Sequence, residues 1–219
     1  MGLITAVEKQ KKRADRVNVF IDEEFAFGSS AEIAYLNKLK IGRQVTDSEI
    51  KDLIHKDQVE RLLNKALRFL GSRPHSEKEV KDYLTYKGKL KDLETEEEKQ
   101  EYLGSMDQVT AKLKELNYLN DTEFASWWVK ERGEIRSISE RILRSELVMK
   151  GVNKEVVNEV LNKVESEEEK ANKIAQKKAK TLRGLAKEEF RRKLSQFLAR
   201  RGFAWDLIKK IVDRLVQKG

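Results

Sequence analysis

Residues 139–151, SERILRSELVMKG, and residues 190–202, FRRKLSQFLARRG, decide how this chain folds. Both end in a basic residue followed by Gly, the pattern with which a helix stops. Counting back from that Gly, Leu147 and Leu198 stand at the fourth position, and Leu143 and Leu194 at the eighth. Beyond it, Val156, Val157, Val160 and Leu161 match Leu207, Ile208, Ile211 and Val212 offset for offset. A third copy, residues 76–88 (SEKEVKDYLTYKG), carries Val80 and Leu84 in the same places, so the chain contains an internal repeat. Each unit reads as an entry helix, a middle helix ending in Gly, and an exit helix.

The boundaries follow from this reading: an N-terminal hairpin and helix region over 1–56, then three-helix repeats over 57–119, 120–164 and 165–219. In the first repeat the register slips after Gly88, where residues 89–105 form an acidic insertion before Val109, Leu113 and Leu116 resume the pattern. Ser76 with Glu79 makes a capping box behind Pro74. Three short helices bury little apolar surface alone, so neighbouring repeats are expected to share faces in an elongated, curved array. The fold class is mainly α.

Ahead of the repeats, Val17, Val19 and Ile21 alternate with Asn18 and Phe20, and Asp22 to Glu24 form a polar turn before Phe25, Ala26 and Phe27. This predicts a hairpin of two short strands. Ser29 or Ser30 is expected to cap a short helix through Leu39, with Gly42 ending it. Thr46 and Glu49 make a second capping box, and apolar residues from Ile50 to Leu70 fall at helical spacing.

The 219 residues are 39% hydrophobic and 38% charged, which favours small modules over one thick globule. Forty-six Lys and Arg against thirty-eight Asp and Glu give +8, and the whole excess lies in residues 165–219, where sixteen basic residues face eight acidic ones. A polyanion or an acidic protein surface is therefore the first partner class to consider. For any single residue of that run a solvated helix surface is the alternative. No apolar run approaches the length of a membrane span, and the start does not read as a signal peptide. The chain has no Cys, consistent with a cytoplasmic protein without disulfides.

Phe124, Trp128 and Ile135 share a helical face and read as core, which leaves Trp127 as the aromatic better placed for a partner. Near it lie Lys130, Arg132, Arg136, Arg141 and Arg144, a second basic set. His55 and His75 read as local packing or solvent contacts. Asn120 and Asp121 sit where a helix N-terminus wants a cap and negative charge, so capping is preferred over catalysis there. No phosphate loop, dinucleotide fingerprint or metal-ligand spacing is found, and the chain reads as a non-enzyme that needs no cofactor and no metal.

The stretch SRPHSEKEVKDYLTYKG over residues 72–88, YLND over 118–121 with Phe124 and Ala125, and SERILRSELVMKG over 139–151 resemble the RecX family, bacterial regulators of the RecA recombinase. The resemblance covers residues 60–215, and the front part is similar to the longer members found in Gram-positive bacteria. It implies a tandem three-helix protein without enzymatic activity. Such a protein binds in the helical groove of RecA filaments on single-stranded DNA and dampens strand exchange, coprotease action and ATP turnover. Some members also bind DNA directly, so single-stranded DNA, and double-stranded DNA beyond it, join the filament as expected partners of a monomer. The acidic insertion departs from the minimal repeat. The resemblance assigns contact to the middle and last repeats, and the residues chosen there are Arg141, Arg144, Lys177, Lys178, Arg183, Arg191, Arg192, Arg200 and Arg201, with Trp127 at the edge. Their expected role is pairing with phosphates or acidic surface, for which the planar Arg fork is suited. A stand-alone architectural or transcriptional DNA-binding protein is the alternative, and a helical scaffold for acidic proteins a further one.

Overall fold

In the computed structural model every residue is described except 89, 91, 92, 136, 218 and 219, and of residue 134 only the backbone is described. Part of the acidic insertion and Arg136 of the second basic set thus lie outside the described residues. The chain forms two compact units, one made of Met1–Ser72 and Lys81–Tyr118, the other of Arg73–Val80 and Leu119–Gly219.

The first unit opens with β1 (Gly2–Gln10), β2 (Arg13–Ile21) and β3 (Glu24–Ser30), then α1 (Ala31–Leu36) and a short β4 (Gln44–Val45). The expected hairpin is β2 and β3, but it is half of a four-stranded antiparallel sheet in the order β3-β2-β1-β4. Its turn takes φ 50 at Asp22 and φ 71 at Glu23, the left-handed pair that suits the twist of a two-residue hairpin. Asp22 also accepts a 3.0 Å bond from the Leu3 amide, which binds the turn to β1. The sequence carries no clear strand signal over β1, whose last residues, Glu8 to Gln10, are polar, with Glu8 and Lys9 exposed. One face of the sheet buries Ile4, Val17, Val19 and Phe27 against Ile33, Ala34 and Leu53. Ser30 caps α1 as expected, but the helix ends at Leu36 rather than Leu39. Lys38 takes the left-handed turn there (φ 51), and Gly42 belongs to the loop beyond.

Helix α2 (Asp47–Leu70) starts at the Thr46 and Glu49 capping box, with both reciprocal bonds formed. It runs unbroken through the boundary proposed after residue 56, since Asp57 is a buried anchor within it. The Asp57 carboxylate accepts from both terminal nitrogens of Arg16 (3.0 and 2.9 Å), from the Ser30 amide at 2.9 Å and from Arg61 at 3.1 Å. The sheet is thereby fastened to the helix that enters the first repeat. Helix α3 (Glu77–Lys87) and α4 (Glu96–Glu115) complete that repeat. Much of the acidic insertion is the first half of α4, begun by a capping box of Thr95 and Glu98. Gly88 ends α3 as expected, and the Tyr102 hydroxyl, which donates to the Leu84 carbonyl at 2.8 Å, packs so near that a Cβ on Gly88 would stand 1.5 Å away.

In the second unit, α5 (Asp121–Trp128) passes into a π-helical segment (Val129–Ile135), followed by α6 (Glu140–Met149) and α7 (Lys154–Leu161). Then come α8 (Glu167–Thr181), α9 (Lys187–Ala199) and α10 (Trp205–Gln217). Each triplet encloses its own core. Phe124, Leu143, Leu147, Val157, Val160 and Leu161 form the first, and Leu194, Leu198, Phe203, Ile208, Ile211 and Val212 the second. Ile135 corrects the sequence reading: it is 67% exposed, because a π turn spans one residue more than an α turn and rotates later side chains off the face of Phe124.

The helix-ending glycines have a second task. Gly151 and Gly202 adopt φ of 81 and 84, and a Cβ on them would lie 2.7 Å from Lys78 Cβ and 2.4 Å from Ile142 Cδ1 respectively. Each therefore seats the end of one middle helix against the first turn of the preceding one. The Ser76 hydroxyl donates to the Lys150 carbonyl at 2.7 Å, and the Ser139 amide donates to the Arg201 carbonyl at 2.9 Å. The third middle helix differs, since α9 starts at Lys187 with Ala186 in the capping place and no side-chain cap.

Candidate anion-binding face

The cationic side chains expected to act together fall into separate groups. Lys177 and Lys178 on α8 meet Arg201, just past α9, around one cleft of about 670 Å³ whose other walls are Ile135, Ser137, Ile174, Thr181 and Phe197. The Arg201 guanidinium lies 3.8 Å from the centre of the Phe197 ring, and the Lys178 ammonium 5.6 Å from it. Burial pulls the proton affinity of Arg201 below the ordinary guanidinium value. The backbone join fixes this residue, because the Arg201 carbonyl is held by Ser139 and the next carbonyl, of Gly202, faces the Arg141 guanidinium at 3.4 Å. No carboxylate lines this cleft among the described residues.

The other predicted residues stand apart from it. Arg192 and Arg200 are exposed on α9 and at its end, and Arg183 borders a different, smaller hollow with Leu182, Lys187 and Phe190. Arg191 pairs with Asp213 of α10, and Arg144 pairs with Glu140 at 2.8 Å and with Asn158. Trp127 is half-buried against the core of the second triplet, with the Arg73 guanidinium 5.5 Å from its ring centre, so it is more packing than rim. Trp205 is the more exposed tryptophan, at 64%.

A second polar cluster surrounds Glu79. Its carboxylate accepts from Arg73 at 3.0 and 3.1 Å, from Lys150, and from His75 Nδ1 at 3.1 Å, and it closes the Ser76 capping box. Burial opposes ionisation of Glu79, but the hydrogen bonds and charges of Arg73 and Lys150 outweigh it and bring the pKa down to about 2. His75, itself buried, is pushed below its ordinary value first by burial and then by Arg73, so the neutral ring is favoured. The Lys150 ammonium sits 4.2 Å from the centre of the Trp128 ring, whose Nε1 donates to Glu146 at 2.8 Å. This cluster locks helix ends together. Sequence reasoning found its capping box but not its cations, which arrive from Arg73 and Lys150 through folding.

A small antiparallel sheet leading into tandem three-helix triplets, with a cationic cleft in the last two, defines a repeat-built helical protein of a distinct kind. The chain matches family models described as "Regulatory protein RecX N-terminal domain" over residues 2–46 and as the first, second and third three-helix domains of RecX over 63–97, 120–161 and 165–212. It is 32% identical to the regulatory protein RecX of Clostridium botulinum (strain Eklund 17B / Type B), covering 99% of this chain and 97% of that one. It is 32% identical to that of Clostridium perfringens (strain SM101 / Type A), covering 98% and 97%. A crystal structure of regulatory protein RecX shares the fold, with a TM-score of 0.65 at 22% identity over 97% of this chain and all of the other. One from Lactobacillus salivarius gives 0.56 at 23% identity over 73% of this chain and 97% of the other. The chain belongs to the RecX family of regulatory proteins. Among the described residues no helix is long and apolar enough to cross a membrane.

Proposed function

We propose that this protein binds the RecA filament on single-stranded DNA, in its helical groove, and lowers the recombinase, ATPase and coprotease activities of that filament without chemistry of its own. The observation that carries the reading is the concentration of positive charge in residues 165–219, part of which the fold gathers at Lys177, Lys178 and Arg201 around a cleft that no carboxylate lines among the described residues. Family membership supports a regulatory role. Such a surface pairs with phosphates or with acidic patches of filament subunits, and Arg192 and Arg200, exposed elsewhere on and just after α9, offer further charge of the same sign.

The test is the DNA-dependent ATPase of the matching recombinase with this protein titrated in. Turnover is expected to fall with added protein, and a variant carrying Lys177→Glu, Arg192→Glu and Arg200→Glu to leave it unchanged. Arg191 and Arg201 are spared because Arg191 pairs with Asp213 and Arg201 stacks on Phe197. Equal behaviour of the two forms refutes the reading.

A further inference from the structure

We propose that a hollow of about 520 Å³ on the first unit, between the start of β2 and the second half of α2, binds a short chain of linked phosphates, as carried by an inorganic oligophosphate or a nucleoside triphosphate. Every residue that lines it belongs to that unit, so the site is separate from the cleft of the last triplets and owes nothing to the filament reading above. Its size is that of a small-molecule site.

Arg61, Lys65 and Arg68 stand four and three positions apart on α2, which puts them on one stripe of the helix, and Arg13 and Arg16 of β2 line the same hollow. Like charges at that helical spacing repel and cost stability. Among the described residues two carboxylates share the walls, and both are engaged: Asp15 holds Arg13 at 2.8 Å, and Glu60 accepts from the Ser30 hydroxyl at 2.8 Å. Asp57, behind them, is already divided between Arg16 and Arg61. Lys65 is half-buried and donates to the Lys87 carbonyl at 3.4 Å. Burial first, and then the charges of Arg61, Arg68 and Lys87, pull its proton affinity below the ordinary lysine value. An anion seated among these cations would relieve their repulsion.

Length and lining choose the ligand. From Arg61 to Arg68 the cationic stripe runs roughly 10 Å, at about 1.5 Å per residue, which is more than a single phosphate spans. No aromatic side chain lines the hollow among the described residues, so it offers no platform for the unstacked bases of a single strand. Asp15 and Glu60 disfavour a long polyanion, whereas Glu60 and Asn64 can accept from the sugar hydroxyls of a nucleotide.

The experiment uses the full chain in magnesium-free buffer at fixed ionic strength. Binding of tripolyphosphate and of ATP is measured by titration calorimetry and by the rise in melting temperature. Saturable binding of one ligand per chain is expected. Lys65→Gln and Arg68→Gln should each weaken it about tenfold. Arg68 is exposed, so Arg68→Gln serves if Lys65→Gln folds poorly. Lys177→Gln, in the last triplet, should leave it unchanged. ATP binding no tighter than tripolyphosphate assigns the phosphate chain alone, and tighter binding of ATP assigns the nucleotide; both uphold the site. Absence of binding by either ligand overturns the proposal, as does binding that survives both α2 variants or that Lys177→Gln abolishes.

Discussion

The Ser76 hydroxyl donates a 2.7 Å hydrogen bond to the Lys150 carbonyl, 74 residues further along the chain. It is also the cap of α3, accepting from the Glu79 amide at 3.2 Å. One side chain thus starts a middle helix and receives the end of the next one. Gly151 follows Lys150 because the chain must turn left-handed there while lying against Lys78. Ser139 and Gly202 repeat the arrangement, with the Ser139 amide as donor to the residue before the glycine.

Gly151→Ala and Gly202→Ala are each expected to cost about 2–4 kcal/mol, from the left-handed backbone and the close contact together. Gly202→Ala should be the more severe, since its Cβ meets Ile142 at 2.4 Å and the Ser139 hydroxyl at 2.6 Å. Urea unfolding of the two variants checks the order; equal stability to wild type would contradict the join.

Asp57→Ala leaves the Arg16 guanidinium buried without a counterion, because Asp57 supplies both of its carboxylate bonds. Breaking a buried pair from one side costs about 3–5 kcal/mol. The loss should appear in the melting of the N-terminal sheet, followed by circular dichroism, and Asp57→Asn should retain part of the stability by keeping an acceptor.

Acid should loosen the Glu79 cluster. The unfolded chain takes up a proton at this carboxylate near its ordinary 4.5, the folded chain only near about 2. The stability it provides is therefore complete above about pH 5 and lost as pH falls from 4.5 towards 2, an amount on the order of 1–3 kcal/mol after allowing for solvent screening. His75 acts in the same direction at higher pH: its folded value lies below 6.5, so acidification past 6.5 favours the unfolded chain first. Denaturant titrations from pH 3 to 8 should show both losses, and Glu79→Gln should flatten the lower one.

Salt dependence distinguishes phosphate contacts from protein contacts. Where Lys177 and Arg200 meet phosphates, Lys177→Gln and Arg200→Gln should each reduce the slope of log affinity against log salt by about one. An unchanged slope assigns those side chains to protein surface instead.

Several features were legible before folding because they are local. Caps at Thr46, Ser76 and Asn120 depend on a side chain and amides two or three residues away, so spacing alone reveals them. The buried positions Leu143, Leu147, Leu194 and Leu198 follow from helical periodicity. Strand β1 escaped notice because β2 and β4 supply its pairing from outside. Ile135 was misplaced because periodicity presumes an unbroken α register, which the π-helical segment does not keep.

For the binding face, the order of residues determined which repeat carries the positive excess, since net charge is additive along a chain and needs no coordinates. Which of those cations converge was a matter of tertiary structure. Arg191 was spent on Asp213, Arg201 was turned onto Phe197, and Lys170 was drawn inside beside Gly133. Pairing and burial depend on neighbours brought together by packing, and a charge acquires its role only from what folding sets against it.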